Sequence, residues 1–261
     1  MRNSVLRIAC SIAVAAGVTG QASATDSRNF NVSFKHCSEF VGVTPVDRAK
    51  ADALVPKKFT VRNLYGIDTL SSIVVRVASC KFVRVDGGPW KRGTVAHIGI
   101  NVGSLDGTAL VNGPDSISNY TIAYASDNEE LVEKLQRAGV PAEFDRNLAY
   151  EFTPPHAQEG QLYAAITTDR TPHWFVHGTT AGKLFETPFF ANWWRSGHGY
   201  ETKMATTIDS ISFFNASGVS FFTARSNLIG KLIGGNKLTT FTELQVRGVF
   251  DFAEMRVTVQ D

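Results

Sequence analysis

The chain reads as a mainly β, α+β fold with a single barrel-like domain, and three observations point there. Nine segments rich in β-branched and aromatic residues are bounded by Gly, Pro, Asn or Asp clusters. Only two segments carry a convincing helical pattern. Helices and strands do not alternate, which excludes a βαβ architecture and leaves a barrel-like arrangement of antiparallel strands.

The first strand is "EFVGVTPV". It runs into "PVDRAKADALVP", where Asp47 is a cap, Ala49, Ala53 and Leu54 form an apolar stripe, and Pro56 is a stop. "SSIVVRVASCKFVRV" and "TVAHIGINV" follow as strands. In the latter, Val95, His97, Gly99 and Asn101 share one face, with Thr94, Ala96, Ile98 and Ile100 on the other. "SNYTIAYA" leads into "SDNEELVEKLQRAG", a helix with Ser126 or Asp127 as cap and acids in its first turn. Leu131 and Leu135 lie one turn apart, and Gly139 stands just past the helix end. "AYEFTP", "QLYAAITT", "SISFFNASGVSFFTA", "LTTFTELQV" and "AEMRVTV" complete the β series. No internal repeat, low-complexity tract or linker divides residues 25–261.

Residues 1–24 read as a signal peptide. Arg2 and Arg7 form a basic start, "IACSIAVAAGV" is an apolar run, and "ASA" is a small-residue cleavage site. That run falls short of the ~18 apolar residues of a membrane-spanning helix, and no later stretch reaches that length. Cys10 stands at the start of the apolar run and not after it, which argues against a lipoprotein signal. The expectation is cleavage after Ala24 and a periplasmic or secreted protein. Removing 24 of 261 residues leaves 237, enough for a substantial core, and takes two arginines and no acids from a net charge of +2. The mature chain is then neutral overall, with no basic stripe, so nucleic acid is not an expected partner. Cys37 and Cys80 remain, and an even count in an oxidising compartment reads as a disulfide. They lack the CxxC spacing of a redox pair.

Several motifs invite sharper readings. "GKLIGGNK" departs from GxxxxGK at Asn236, and no helix pattern follows it, so it reads as a glycine-rich turn. "HWFVH" places His173 and His177 four apart. On a strand that is about 13 Å, too far for one metal, so no metal site is expected. No GxSxG elbow is present. "FFANWW" suits core packing or the wall of an apolar cavity, which makes Trp193 and Trp194 candidates for such a wall. Arg76 interrupts the apolar run "SIVVRVAS". It is either a surface charge on an edge strand or an inward guanidinium that must meet a carboxylate.

Three segments, in order, resemble the acetoacetate decarboxylase family. "PVDRAKADALVPKKFTV" looks like its early helix, Val-Pro step and strand. "NYTIAYASDNEELVEKLQRAGVPAEF" looks like its strand, acidic turn, helix and post-helix proline. "LQVRGVFDFAEMRVTV" is similar to its C-terminal segment and final strand. The resemblance implies a cone-shaped β-barrel around a small cavity, and it is weak over about 171–210. In that family a lysine directly after the proline forms a Schiff base with a β-keto acid, and a neighbouring lysine depresses its pKa. Here Pro141 is followed by Ala142 and Glu143, so both amines are missing. The family's first-strand arginine falls close to Cys37, and its second-strand acid close to Arg76. The expectation is a retained scaffold without amine chemistry and without a cofactor. It would bind a small apolar or carboxylate-bearing ligand through Arg76, His97, Glu143, Trp193 and Trp194. The alternative is a cofactor-independent enzyme on oxo-acid or polyketide-like substrates, using His97 and Glu143 as acid and base. The sequence leaves the oligomeric state open.

Overall fold

The computed structural model describes residues 28–106, 116–155, 157–166, 174–224, 226–234 and 239–260. The expected signal peptide, His173 and residues 235–237 of the glycine-rich segment lie outside them. Among the described residues are eleven strands: β1 (Phe30–Asp47), β2 (Leu70–Val85), β3 (Lys91–Asn101), β4 (Ser116–Ser126), β5 (Ala142–Phe144), β6 (Ala149–Thr153), β7 (Gly160–Ile166), β8 (Trp174–Gly197), β9 (Tyr200–Thr223), β10 (Thr239–Thr240) and β11 (Leu244–Gln260). Three short helices accompany them: α1 (Arg48–Leu54), α2 (Glu129–Arg137) and α3 (Leu228–Leu232). The fold is mainly β, as expected. The third helix falls partly in the segment read as a glycine-rich turn, started by an Asn227 side chain that accepts from the Gly230 N–H at 2.6 Å.

All strands join one sheet, ordered β10-β9-β11-β1-β2-β3-β4-β8-β7-β6. β8 and β9 also pair with each other, so the path of pairings rejoins itself at β9. Two strands of 24 residues make this possible. The early part of β8 pairs with β7 and the late part of β9, while its last residues pair with β4 and the start of β9. Register shifts between His177 and Phe189 separate the two parts of β8. β4 runs parallel to both β5 and β8, where antiparallel strands alone were expected.

The sheet has a core on each face. The inner cluster draws Val32, Val74, Val95, Tyr124, Trp193, Met204 and Phe250 from the seven strands of the rejoining path, with Leu131 and Leu135 of α2. The outer cluster packs α1, β6, β7 and the distal parts of β8 and β9 over the other face of β1–β4, through residues such as Phe40, Ile98 and Trp174. In β3, Val95 belongs to the inner cluster and Ala96, Ile98 and Ile100 to the outer one, so the alternation read from the sequence holds.

Helix details differ from the sequence reading. α2 is capped by Asn128, whose side chain accepts from the Leu131 N–H, because Asp127 is engaged with the Thr94 N–H at 2.6 Å. Gly139 follows α2 with φ of +79°, as expected of a residue ending a helix. In α1 the Asp47 cap is present, but the buried residue is Ala51, and Ala49 and Ala53 are exposed. One exposed alanine costs a helix little, so an alanine stripe fixes its buried face poorly.

Candidate functional site

Cys37 and Cys80 face each other across β1 and β2 at disulfide distance, with Cα atoms 4.1 Å apart and Sγ atoms 2.07 Å apart. The same register sets Glu39 opposite Ala78 and Val41 opposite Arg76. Side chains alternate along a strand, so Cys37, Glu39 and Val41 share a face with Cys80, Ala78 and Arg76. Glu39 is fully buried and Arg76 nearly so. Nε of Arg76 donates to Oε2 of Glu39 at 2.7 Å, and Nη2 lies 2.7 Å from the same oxygen in an ion pair. Oε1 of Glu39 has no hydrogen-bond partner. Arg76 is therefore the inward guanidinium, on a strand held between β1 and β3, and not a surface charge.

His97 on β3 pairs directly with Arg76. Its imidazole stacks on Trp193, ring centroids 3.6 Å apart and planes 21° apart, and Tyr124 meets it edge-on. Nε2 of His97 and Oγ1 of Thr121 are 2.8 Å apart. Burial, with the nearby Arg76 charge, holds the His97 pKa well below the usual imidazole range. Burial likewise pushes the Tyr124 phenol up. Both rings are neutral at physiological pH. The Trp193 Nε1 donor is buried without a partner.

Two glycines make this packing possible. A Cβ on Gly99 would lie 2.6 Å from the Tyr120 carbonyl and 2.8 Å from Trp193, so a bare backbone lets the indole lie against β3. A Cβ on Gly248 of β11 would lie 2.5 Å from Ile211 and 3.0 Å from the Glu39 side chain. Val41, paired with Arg76 across β1 and β2, lines an apolar recess of about 210 Å³ together with Phe189, Phe213 and Val246.

The structure brings together Arg76, His97 and Trp193, but not the other two candidates. Trp194 belongs to the outer cluster, where Nε1 donates to Ser118 Oγ at 3.1 Å and Phe59 packs beside it. Adjacent residues of a strand point to opposite faces, so the two tryptophans never form one wall. The same rule separates Glu143 from His97. Ala142, opposite Tyr124, is buried in the inner cluster, while Glu143 is half-buried on the other side of β5. The residue after the proline does face inward, and it is an alanine. Among the described residues no lysine is buried. Lys134 meets Asp86, Lys183 meets Glu186 and Lys203 meets Asp106.

The sequence reading missed Glu39, Thr121 and Tyr124. Glu39 had a signal: with the two cysteines taken as opposed in antiparallel strands, counting outward places it diagonal to Arg76 on the same face. Thr121 and Tyr124 had none, because a register shift at Ile98/Gly99 changes the β3–β4 alignment.

No protein-family model and no curated protein matches the chain. Solved structures do, and they define its class as an acetoacetate decarboxylase-like fold. The enduracididine biosynthesis enzyme MppR complexed with pyruvate is 10% identical, with a TM-score of 0.57 over 93% of each chain. An acetoacetate decarboxylase is 9% identical, with a TM-score of 0.56 over 88% of each chain. An acetoacetate decarboxylase-like enzyme from Sphingomonas wittichii RW1 is 11% identical, with a TM-score of 0.55 over 94% of this chain and 97% of its own. At such identities the likeness is one of fold.

Proposed function

We propose that the protein is exported and that its inner face binds a small, largely apolar molecule without imine chemistry. One observation carries this reading. The buried Glu39–Arg76–His97–Trp193 cluster, linked to an apolar recess through Val41, holds an acceptor, Glu39 Oε1, and a donor, Trp193 Nε1, that meet no partner among the described residues. Buried polar atoms are normally partnered, so such orphans suit a ligand or an ordered water. A recess of about 210 Å³ lies below the ~300–1,000 Å³ of drug-sized sites, which favours a small ligand. A carbonyl or carboxylate oxygen would suit Trp193, and a hydroxyl would suit Glu39.

Amine chemistry has little support. Ala142 occupies the inward position after Pro141, and the described lysines outside the core include three held by carboxylates. Export rests on the leader-like residues 1–24, with the cysteine pair at disulfide distance as agreeing evidence. Among the described residues no helix is long and apolar enough to cross a membrane.

Native mass spectrometry of protein recovered outside the cytoplasm tests both parts. The expected result is a chain beginning at Thr25 with a retained small molecule. Incubation with acetoacetate and borohydride should leave the mass of the polypeptide unchanged. A chain keeping residues 1–24 refutes export, and a stoichiometric reduced adduct on any lysine refutes the imine-free reading.

A further inference from the structure

A second polar cluster lies on the opposite face of β1 and β11. Val246 belongs to the inner cluster, so its neighbour Arg247 projects outward. Arg247 is 4% exposed. Its Nε donates to Ser38 Oγ at 3.0 Å and its Nη1 to the Ala157 carbonyl at 3.2 Å. The guanidinium carbon lies 3.7 Å from the centroid of the Phe152 ring and 5.3 Å from that of Phe214. Ser38 Oγ also meets the Tyr150 hydroxyl at 2.8 Å, and burial pushes that phenol up to about 12. All of these partners are neutral. Among the described residues no carboxylate lies within ion-pair distance of Arg247.

A buried guanidinium without a counter-charge is costly, whereas Arg76 on the inner face has Glu39. Arg247 also lines an open cleft of about 680 Å³, together with the cationic side chains of Lys81 and Arg92. The acids there, Glu151 and Asp251, are exposed to water, and Asp251 already meets His36 at 3.3 Å. The remaining wall is largely apolar and includes Phe152, Pro155 and Phe250. A planar guanidinium fixed on two sides, set among aromatic rings, matches a planar anion.

We propose that this cleft is a second binding site, for a small organic carboxylate with a flat apolar body. The carboxylate pairs with Arg247, and the body lies against Phe152 and Pro155. Calorimetric titration of the mature chain with benzoate tests this, with benzamide and inorganic phosphate as the uncharged and non-planar controls. Benzoate should bind, with each control at least about tenfold weaker, because a charge-assisted pair is roughly twice as strong as a neutral hydrogen bond. Arg247→Gln should weaken benzoate by at least about tenfold while circular dichroism stays unchanged. Should that variant fail to fold, crystals of the unaltered protein soaked with 4-iodobenzoate locate the site directly, with iodine expected beside Phe152. Absence of benzoate binding at about 10 mM, where even millimolar affinity would register, overturns the proposal. So does equal binding of either control, or iodine found only beside Val41 and Phe213 on the inner face.

Discussion

Removing the charge of Arg76 alone should be among the most damaging single changes to this fold. Arg76→Met deletes the partner of Glu39, which is fully buried and whose second oxygen already lacks a partner. Breaking one half of a buried pair typically costs about 3–5 kcal/mol, because the other charge is left in a dry interior. For a chain of this size about 2–4 °C is lost per kcal/mol, so the midpoint should fall by roughly 6–20 °C. The double variant Glu39→Leu/Arg76→Met removes both charges and should recover most of that loss. Replacing a buried pair with apolar groups is often neutral or stabilising by about 1–4 kcal/mol. The unpartnered Glu39 oxygen places this pair among the incompletely compensated ones. Urea unfolding of wild type, Glu39→Leu, Arg76→Met and the double variant closes the cycle. Repeating it at high salt should change the coupling little, since buried charges are weakly screened. An Arg76→Met protein within about 1 kcal/mol of wild type would show that the guanidinium is not buried against Glu39. A double variant as unstable as Arg76→Met would show that the methionine, and not the orphaned charge, does the damage.

His97 is buried neutral, with a folded pKa depressed below its unfolded value. As pH falls below about 6.5 the unfolded chain binds a proton that the folded chain refuses, so stability should drop by up to about 1.4 kcal/mol per pH unit. Urea unfolding at pH 7, 6 and 5 should show this slope, and His97→Gln should flatten it; an equal slope in both proteins points to other groups. Gly99→Ala should cost about 1–3 kcal/mol and red-shift tryptophan emission, because the new methyl displaces Trp193 from β3. Cys37 and Cys80 should show no free thiol under denaturing, non-reducing conditions. Reduction should then cost about 4 kcal/mol in the chain-entropy model for a separation of 43 residues.

Segments whose composition matches their final environment were readable from the sequence. β2 and β3 are rich in β-branched residues and buried on both faces over 71–78 and 93–100, where Arg76 is the one Lys, Arg, Asp or Glu, and α2 carries acids and an apolar stripe in helical order with a glycine just past its end. β8 was not. "TTAGKLFETPFF" contains glycine, lysine and proline and is held extended by β9 along its edge, so pairing overrides weak intrinsic preference. The parallel contact between β4 and β8 joins residues about seventy apart and leaves no local trace. The site divides in the same way. Arg76 and His97 were visible as polar interruptions of apolar strands, and their meeting follows from the β2–β3 pairing. Trp194 and Glu143 were misplaced by a single residue step, since neighbouring positions on a strand face opposite sides.

That step also bears on what the interior can do. Ala142 and Glu143 are adjacent in sequence, yet only Ala142 reaches the inner cluster. An acid–base mechanism would need Glu143 beside His97, and β5 turns it away. What remains inside is an ion pair that neutralises itself, a neutral imidazole clamped on an indole, and a phenol that keeps its proton. Burial holds the imidazole and the phenol neutral, so neither of those two changes charge near neutral pH. Each still offers a fixed dipole or an unused hydrogen-bonding atom. Groups of that kind orient a molecule without consuming it, which supports the proposed binding role over an acid–base one.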